Sequence, residues 1–379
     1  MEIYVALKVI WAVLLGVLLT GLAVMVGMDM GVGVLLRFVG KTDGERRTAL
    51  NIIGPHWDGN QVWFILGGGA IFAAFPTLYA TSFSVFYVVM ILLLFSMIIR
   101  PVAFEYRSKV DAKHWRESWD WAFLASGALP MIVYGAAIGN ILEGVGYHYS
   151  WTGQYYQDES FIWYLLNPFA VACGVMSLAL AMFQGGTMLM LRGEEPIYGR
   201  ARIFTLVGGL LAAVIFVLGG LWVSHMNGYA FTSAVDPNMA ATPLNGPSVA
   251  VTAGAWMNNY HAYPILWLAP AIALVGMLGG TAANAVRLPV LGWWLGVLSW
   301  AGTISTVGLS MFPFLMPSST MPSESLTVWN STGSAYNLGW MLFFALVFTP
   351  VILAYTSWAF YIMRGKVKVA DVENNPHSY

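Results

Sequence analysis

Residues 54–75, "GPHWDGNQVWFILGGGAIFAAF", decide how this chain is organised. The first half gathers His56, Asp58, Asn60 and Gln61 into a sequence that elsewhere avoids polarity. The second half, Val62 to Phe75, is an apolar run of 14 residues, whereas a helix that crosses a bilayer needs roughly 20. On hydropathy alone the stretch is either a short span with a polar mouth or a re-entrant or interfacial segment. The choice sets the sidedness of everything that follows.

Its surroundings belong to a membrane protein. Of 379 residues, 58% are hydrophobic, 15% aromatic and only 9% charged, against roughly 25% charged in a soluble domain. Eight further apolar segments lie at about 9–36, 79–99, 119–142, 162–191, 203–224, 263–283, 290–311 and 337–363. The run 9–36 exceeds the roughly 7–15 residues of a signal-peptide core and lacks a basic leader, so it is expected to remain as the first helix. The net charge of −1 indicates no nucleic-acid partner, and the single cysteine, Cys173, excludes a disulfide framework or a cysteine-ligated cluster.

The basic residues choose between the two readings of 57–75. Of the 17 Lys and Arg, all but Lys8 fall in alternate loops: Arg37–Arg47, Arg100–Arg116, Arg192–Arg202, Arg287 and Arg364–Lys368. The loops 76–78, 143–161, 225–262 and 312–336 hold none. Basic loops are cytoplasmic, so 37–56 and 100–118 share a side, and the second segment must cross as a partner to the third or not cross at all. The expectation is an all-α polytopic membrane protein with nine transmembrane helices, its N-terminus periplasmic and its C-terminus cytoplasmic. One transmembrane domain covers 1–363, divided at about 150 into two halves, and 364–379 form a short polar tail. Trp151, Trp163, Trp222, Trp256, Trp267 and Trp329 fall near the outer boundary, as an aromatic belt would. An echo links "GMDMGVGVLLR" (27–37) with "MFQGGTMLMLR" (182–192), placing Asp29 opposite Gln184. A parallel repeat of two four-helix bundles would produce it, and so would two unrelated glycine-rich helix ends with a snorkelling arginine.

Asp29 is the clearest candidate for chemistry. It precedes Arg37 by eight residues, roughly 12 Å of helix at 1.5 Å per residue. An intramembrane acid must face protein or water, and its usual use is transport or proton relay; a hydrogen-bond anchor between helices brought close by Gly27, Gly31 and Gly33 is the competing reading. Asp58 and Gln61 share one helix face at the cytoplasmic mouth, while Trp57 and Asn60 share another. An acid near a helix start is favoured by the dipole in any case, but Asp58, Asp29 and His56 lie toward the same membrane face, as proton loading requires. His56 titrates near neutral pH when unperturbed. Arg100 is placed to act as the counter-charge of a buried aspartate, with Glu105 beyond it. Arg107 and Lys109 read as anchors, and Asp120 and Glu143 as solvated helix ends. The six histidines map to loops or helix ends, so no haem ligand is expected in this chain, and no metal spacing, phosphate loop or dinucleotide fingerprint is present. Polar stepping stones without a redox centre are the profile of an accessory subunit.

In this order, "GMDMGVG" (27–33), "PHWDGNQVWF" (55–64), "RPVAFEYRSK" (100–109), "LNPFAVACGVMSLALAMFQG" (166–185), "GAWMNN" (254–259), "MFPFLMPSS" (311–319) and "SLTVWNS" (325–331) resemble subunit II of the cytochrome bd ubiquinol oxidases over nearly the whole chain. The resemblance implies a bacterial inner-membrane terminal oxidase that oxidises ubiquinol and reduces dioxygen to water, generating proton motive force. It implies two four-helix bundles plus one peripheral helix, and an obligate heterodimer with a subunit I that holds two b-type haems and haem d. A small single-span subunit and, as in some members, a non-reacting structural quinone complete the implied complex. No catalytic residue is expected here. Asp29 and Asp58 match the family's proton-transfer acids, with His56, Gln61, Arg100 and Glu105 as supporting residues. Some relatives carry another acid one turn before Asp29, where this chain has Met25. Two other classes remain open: a proton-coupled secondary transporter, which should show broken helices in inverted halves, and an assembly scaffold, which needs no Asp29.

Overall fold

The computed structural model describes residues 2–158, 162–244 and 246–374. Helices dominate, as apolar surroundings demand, because a helix satisfies its backbone within the segment. They are α1 (Glu2–Val39), α2 (Asp43–Ile53), α3 (Trp57–Asn60), α4 (Val62–Ala74), α5 (Pro76–Val85), α6 (Tyr87–Tyr106), α7 (Lys113–Glu143), α8 (Pro168–Arg192), α9 (Ile197–Val223), α10 (Pro264–Ala285), α11 (Pro289–Met311), α12 (Ala335–Ile362) and α13 (Val369–Glu373). Among the described residues eight helices are long and apolar enough to cross a membrane, and a ninth crossing exists if α3–α4 with α5 is a broken span. The basic loops touch one another: Arg107 pairs with Asp43, Arg200 pairs with Glu45, and Lys366 donates to Gly193 O. Three two-stranded antiparallel hairpins (Tyr147–Tyr149 with Tyr155–Gln157, Asn227–Phe231 with Val249–Ala253, Phe314–Met316 with Leu326–Thr327) belong to the long loops without Lys or Arg.

The segment expected at 79–99 is divided differently. The chain bends by 118° between α3–α4 and α5, and the next long helix runs from Tyr87 to Tyr106. Proline explains the corner: it lacks an N–H and drives its predecessor out of the helical region. Phe75, before Pro76, accordingly has φ −131° and ψ 65°.

α1 is the central post. From Val26 to Leu36 every residue is buried, with α7, α8 and α11 packed around it. The approach to α8 is so close that a Cβ on Gly31 would strike the Ala181 carbonyl, and one on Gly185 would strike the Gly31 backbone. Glycine is required there because backbone, not a movable side chain, occupies the space. The two segments of the sequence echo thus pack directly on each other. α4 lies against the N-terminal part of α1, with Trp63 on Gly21 and Leu22 on Gly67. α12 is largely exposed and is fastened to α1 by the Trp11 indole N–H donating to Leu338 O at 3.0 Å. The tail does not hang free: Val367 N–H donates to Arg192 O at 2.9 Å, α13 packs on α2, and Val372 is buried. The end of the expected tail, 375–379 with His377, lies outside the described residues.

Candidate functional site

Asp29 projects from α1 into the interior and is 0% exposed. Its Oδ2 accepts a hydrogen bond of 3.0 Å from the Asn60 side-chain amide, while Oδ1 has no partner among the described residues. Asn60 arrives there through local chain geometry. Gly54-Pro55 ends α2, α3 makes a single turn, and Gln61, itself helical in backbone, leads on into α4. The face of α3 that carries Trp57 and Asn60 turns inward, with Trp57 stacked on Phe104 at 4.9 Å. Asp58 is left exposed two residues from the buried Asn60.

Arg100, in α6, is 2% exposed. Its Nη1 donates to Met30 Sδ at 2.9 Å, Nη2 has no partner among the described residues, and its charge is the one that acts on Asp29. The interior therefore holds an acid and a base that do not close on each other. One acceptor, Asp29 Oδ1, and one donor, Arg100 Nη2, remain for groups outside this chain. A buried charge left short of partners costs several kcal/mol, of order 3–5 when a pair is broken, so such a pair is poor structural glue.

His56 departs from expectation. It is 6% exposed, stacked on Phe360 of α12 at 4.4 Å, and its Nε2 accepts from Arg192 Nη1 at 3.0 Å. An arginine can only donate, so the ring proton sits on Nδ1. Burial, and after it the Arg192 charge, push the ring from 6.5 down to about 4. His56 is neutral at physiological pH and sits in a packing seam rather than an open mouth. Gln61 is half-buried and Glu105 exposed; neither hydrogen-bonds Asp29. Of the supporting residues, only Arg100 is brought to the acid.

Two boundary residues also change meaning. Asp120 is fully buried rather than solvated, held by Arg107 Nε at 2.6 Å and Arg46 Nη1 at 2.9 Å. Arg107, 2% exposed, bridges it to Asp43 at 2.9 Å, so it is the centre of an ion network and not a surface anchor. Asn60 was the site residue that sequence reasoning left unassigned; its shared face with Trp57 was the available signal. Gln184, the counterpart of Asp29 in the echo, is 0% exposed, and neither amide atom has a partner among the described residues.

Beside Asp29, Met30 Sδ accepts from Arg100, and the nearest imidazole in sequence, His56, accepts from Arg192, so neither is free to ligate a haem iron. Among the described residues no group of three or more His, Cys, Asp or Glu is arranged to hold a metal ion.

Comparison with known proteins places these residues in context. The sequence profile described as "Cytochrome bd terminal oxidase subunit II" matches residues 7–363. The chain is 44% identical over 375 residues to a "probable cytochrome oxidase subunit 2" of Haemophilus influenzae, covering 99% of each. It is 43% identical over 382 residues to cytochrome bd-I ubiquinol oxidase subunit 2 of Escherichia coli K12, again covering 99% of each. With the Bacillus subtilis cytochrome bd ubiquinol oxidase subunit 2 it shares 31% over 364 residues, covering 94% of this chain and 96% of that one. A chain of the solved bd oxidase from Geobacillus thermodenitrificans has the same fold, with TM-score 0.68 at 13% identity, over 95% of this chain and 100% of that one.

Proposed function

This chain belongs to the cytochrome bd terminal oxidase subunit II family, and from that membership we propose that it is the accessory subunit of a quinol:oxygen oxidoreductase whose protons it helps to supply. The family makes it one component of a haem-containing complex in a bacterial inner membrane. In our reading subunit I would hold the haems, which would supply the redox chemistry between ubiquinol and dioxygen; a small single-span subunit and a structural quinone would join the complex. We read the basic end as cytoplasmic, both termini as lying where the positive-inside rule puts them, and residues 1–363 as one transmembrane domain of two four-helix bundles with α12 peripheral. The transporter reading has no support in the family.

One observation carries the proton route: Asn60, two residues from the exposed Asp58, donates to buried Asp29 Oδ2 at 3.0 Å. Oxygen reduction consumes protons, and hydrocarbon does not conduct them. Asp58 would take a proton from the cytoplasmic mouth. Asp29 would accept it and pass it from Oδ1, the oxygen left open by this chain. Asn60 cannot carry a proton in this scheme; it orients the carboxylate. Arg100 holds the negative charge in place between transfers. Met25, where some relatives have a further acid, means that the next step must use water or subunit I.

The test is oxygen consumption per mole of haem in Asp29→Asn and Asp58→Asn complexes. Asparagine keeps shape and hydrogen bonding but carries no proton. Slow turnover at an unchanged haem spectrum, more severe for Asp29→Asn than for the mouth residue, supports the route. Poor assembly with normal turnover per assembled complex makes Asp29 a structural anchor instead.

A further inference from the structure

A second polar feature lies apart from Asp29. Where α8 ends, α9 begins, α10 turns into α11 and the tail passes, an open cleft of about 480 Å³ is lined by Glu194, Glu195, Tyr198, Arg287, Pro289 and Lys366.

Arg287 is the residue that needs explaining. Among the described residues it is the one non-glycine with a left-handed backbone, at φ 64°. It occupies the capping slot after α10. Leu288 N–H donates to Ala283 O at 2.8 Å and Arg287 N–H to Asn284 O at 3.2 Å, the paired bonds of a Schellman motif. That slot favours glycine, because a Cβ there crowds the following carbonyl. The helix end does not need the arginine side chain, since Arg202 already donates to the carbonyls of Asn284 and Ala285. The Arg287 side chain is exposed and makes no hydrogen bond or ion pair among the described residues. Attraction to the helix dipole favours a cation here, but any neighbouring lysine would serve that purpose without occupying a glycine slot.

The rest of the lining shows what such a side chain could meet. Lys366 reaches over the Tyr198 ring at 5.9 Å. Glu195 caps α9 by accepting from Gly199 N–H at 3.1 Å, and Glu194 makes no side-chain bond. Two cations and two carboxylates thus share one cleft without pairing, and the cleft's formal charge is zero. Val286, Leu288 and Val290 beside it are 66%, 52% and 63% exposed, next to the exposed Leu291, Trp294 and Leu298 of α11.

We propose that this cleft binds the headgroup of a phosphatidylethanolamine-type lipid, with the phosphate on Arg287 and Lys366, the primary ammonium on Glu194 and Glu195, and the acyl chains along α11. A zwitterion is favoured over an anionic lipid because an anion alone would leave both carboxylates facing it. A quaternary ammonium has no N–H to donate to them.

Native mass spectrometry of the delipidated whole complex, titrated with phosphatidylethanolamine, phosphatidylglycerol and phosphatidylcholine of equal chain length, tests the proposal. Wild type should retain phosphatidylethanolamine preferentially. Arg287→Gly, which suits the backbone better than arginine and should fold at least as well, should lower that retention roughly tenfold, the worth of one charge-assisted hydrogen bond. Glu194→Gln should erase the preference over phosphatidylcholine. Equal or better retention of phosphatidylglycerol by wild type, or wild-type retention in Arg287→Gly, overturns it.

Discussion

Acid should loosen the seam that His56 holds together. The neutral ring accepts from Arg192, and Arg192 also fixes the tail by donating to Gly365 O at 3.2 Å. Because the folded ring titrates at about 4 rather than 6.5, the unfolded chain takes up a proton between those values that the folded chain refuses. Stability therefore rises with pH across that window and is lost as pH falls from 6.5 toward 4. Each unit is worth about 1.4 kcal/mol, so the loss reaches roughly 2 kcal/mol at about pH 5 and roughly 3 kcal/mol at about pH 4. The assay is thermal unfolding of the purified complex from about pH 7.5 downward, wild type against His56→Gln. Glutamine keeps an acceptor for Arg192 but does not titrate. Wild type should lose stability over this window and the variant should lose less by that amount, with hydrogen exchange at the Val367 amide accelerating in wild type alone. Parallel pH curves for the two proteins would refute the argument.

Three other predictions concern the framework. Asp120→Ala leaves Arg107 buried without its main partner and should cost about 3–5 kcal/mol, read as a fall in the yield of spectrally intact complex. Gly31→Leu must push α1 away from the Ala181 carbonyl; it should cost at least the 1–3 kcal/mol or so typical of overpacking and reduce assembly, while Gly68→Ala, with open space around it, should assemble normally. Reporter fusions after Phe75 and after Ala112 should report opposite sides of the membrane; the same side for both would mean that α3–α4 returns to the face it entered.

How much of this was legible in the sequence depended on range. The spans could be read because lipid imposes one rule on every backbone group, and Asp29 stood out as a lone acid in an apolar run. The corner at Phe75-Pro76 was less legible, since hydropathy continues through it and only the proline marks the bend. Asn60 was missed because its partner, Asp29, lies 31 residues away on another helix, a pairing that no local pattern shows. Asp120 was misread because Arg46 is 74 residues away, and no local pattern shows such a pair. His56 was misjudged for the same reason: the ring stacked on it, Phe360, comes from the last long helix. Residue type alone suggested a titrating mouth, and tertiary packing overrode it.

The central claim, that protons reach the oxygen site by way of Asp29, is tested most directly by following proton uptake with a pH indicator while the reduced complex reacts with dioxygen. In Asp29→Asn, uptake from the side of the basic loops should slow together with oxygen reduction, at wild-type haem content. Uptake at the wild-type rate in that variant would contradict the account and place the route wholly outside this chain.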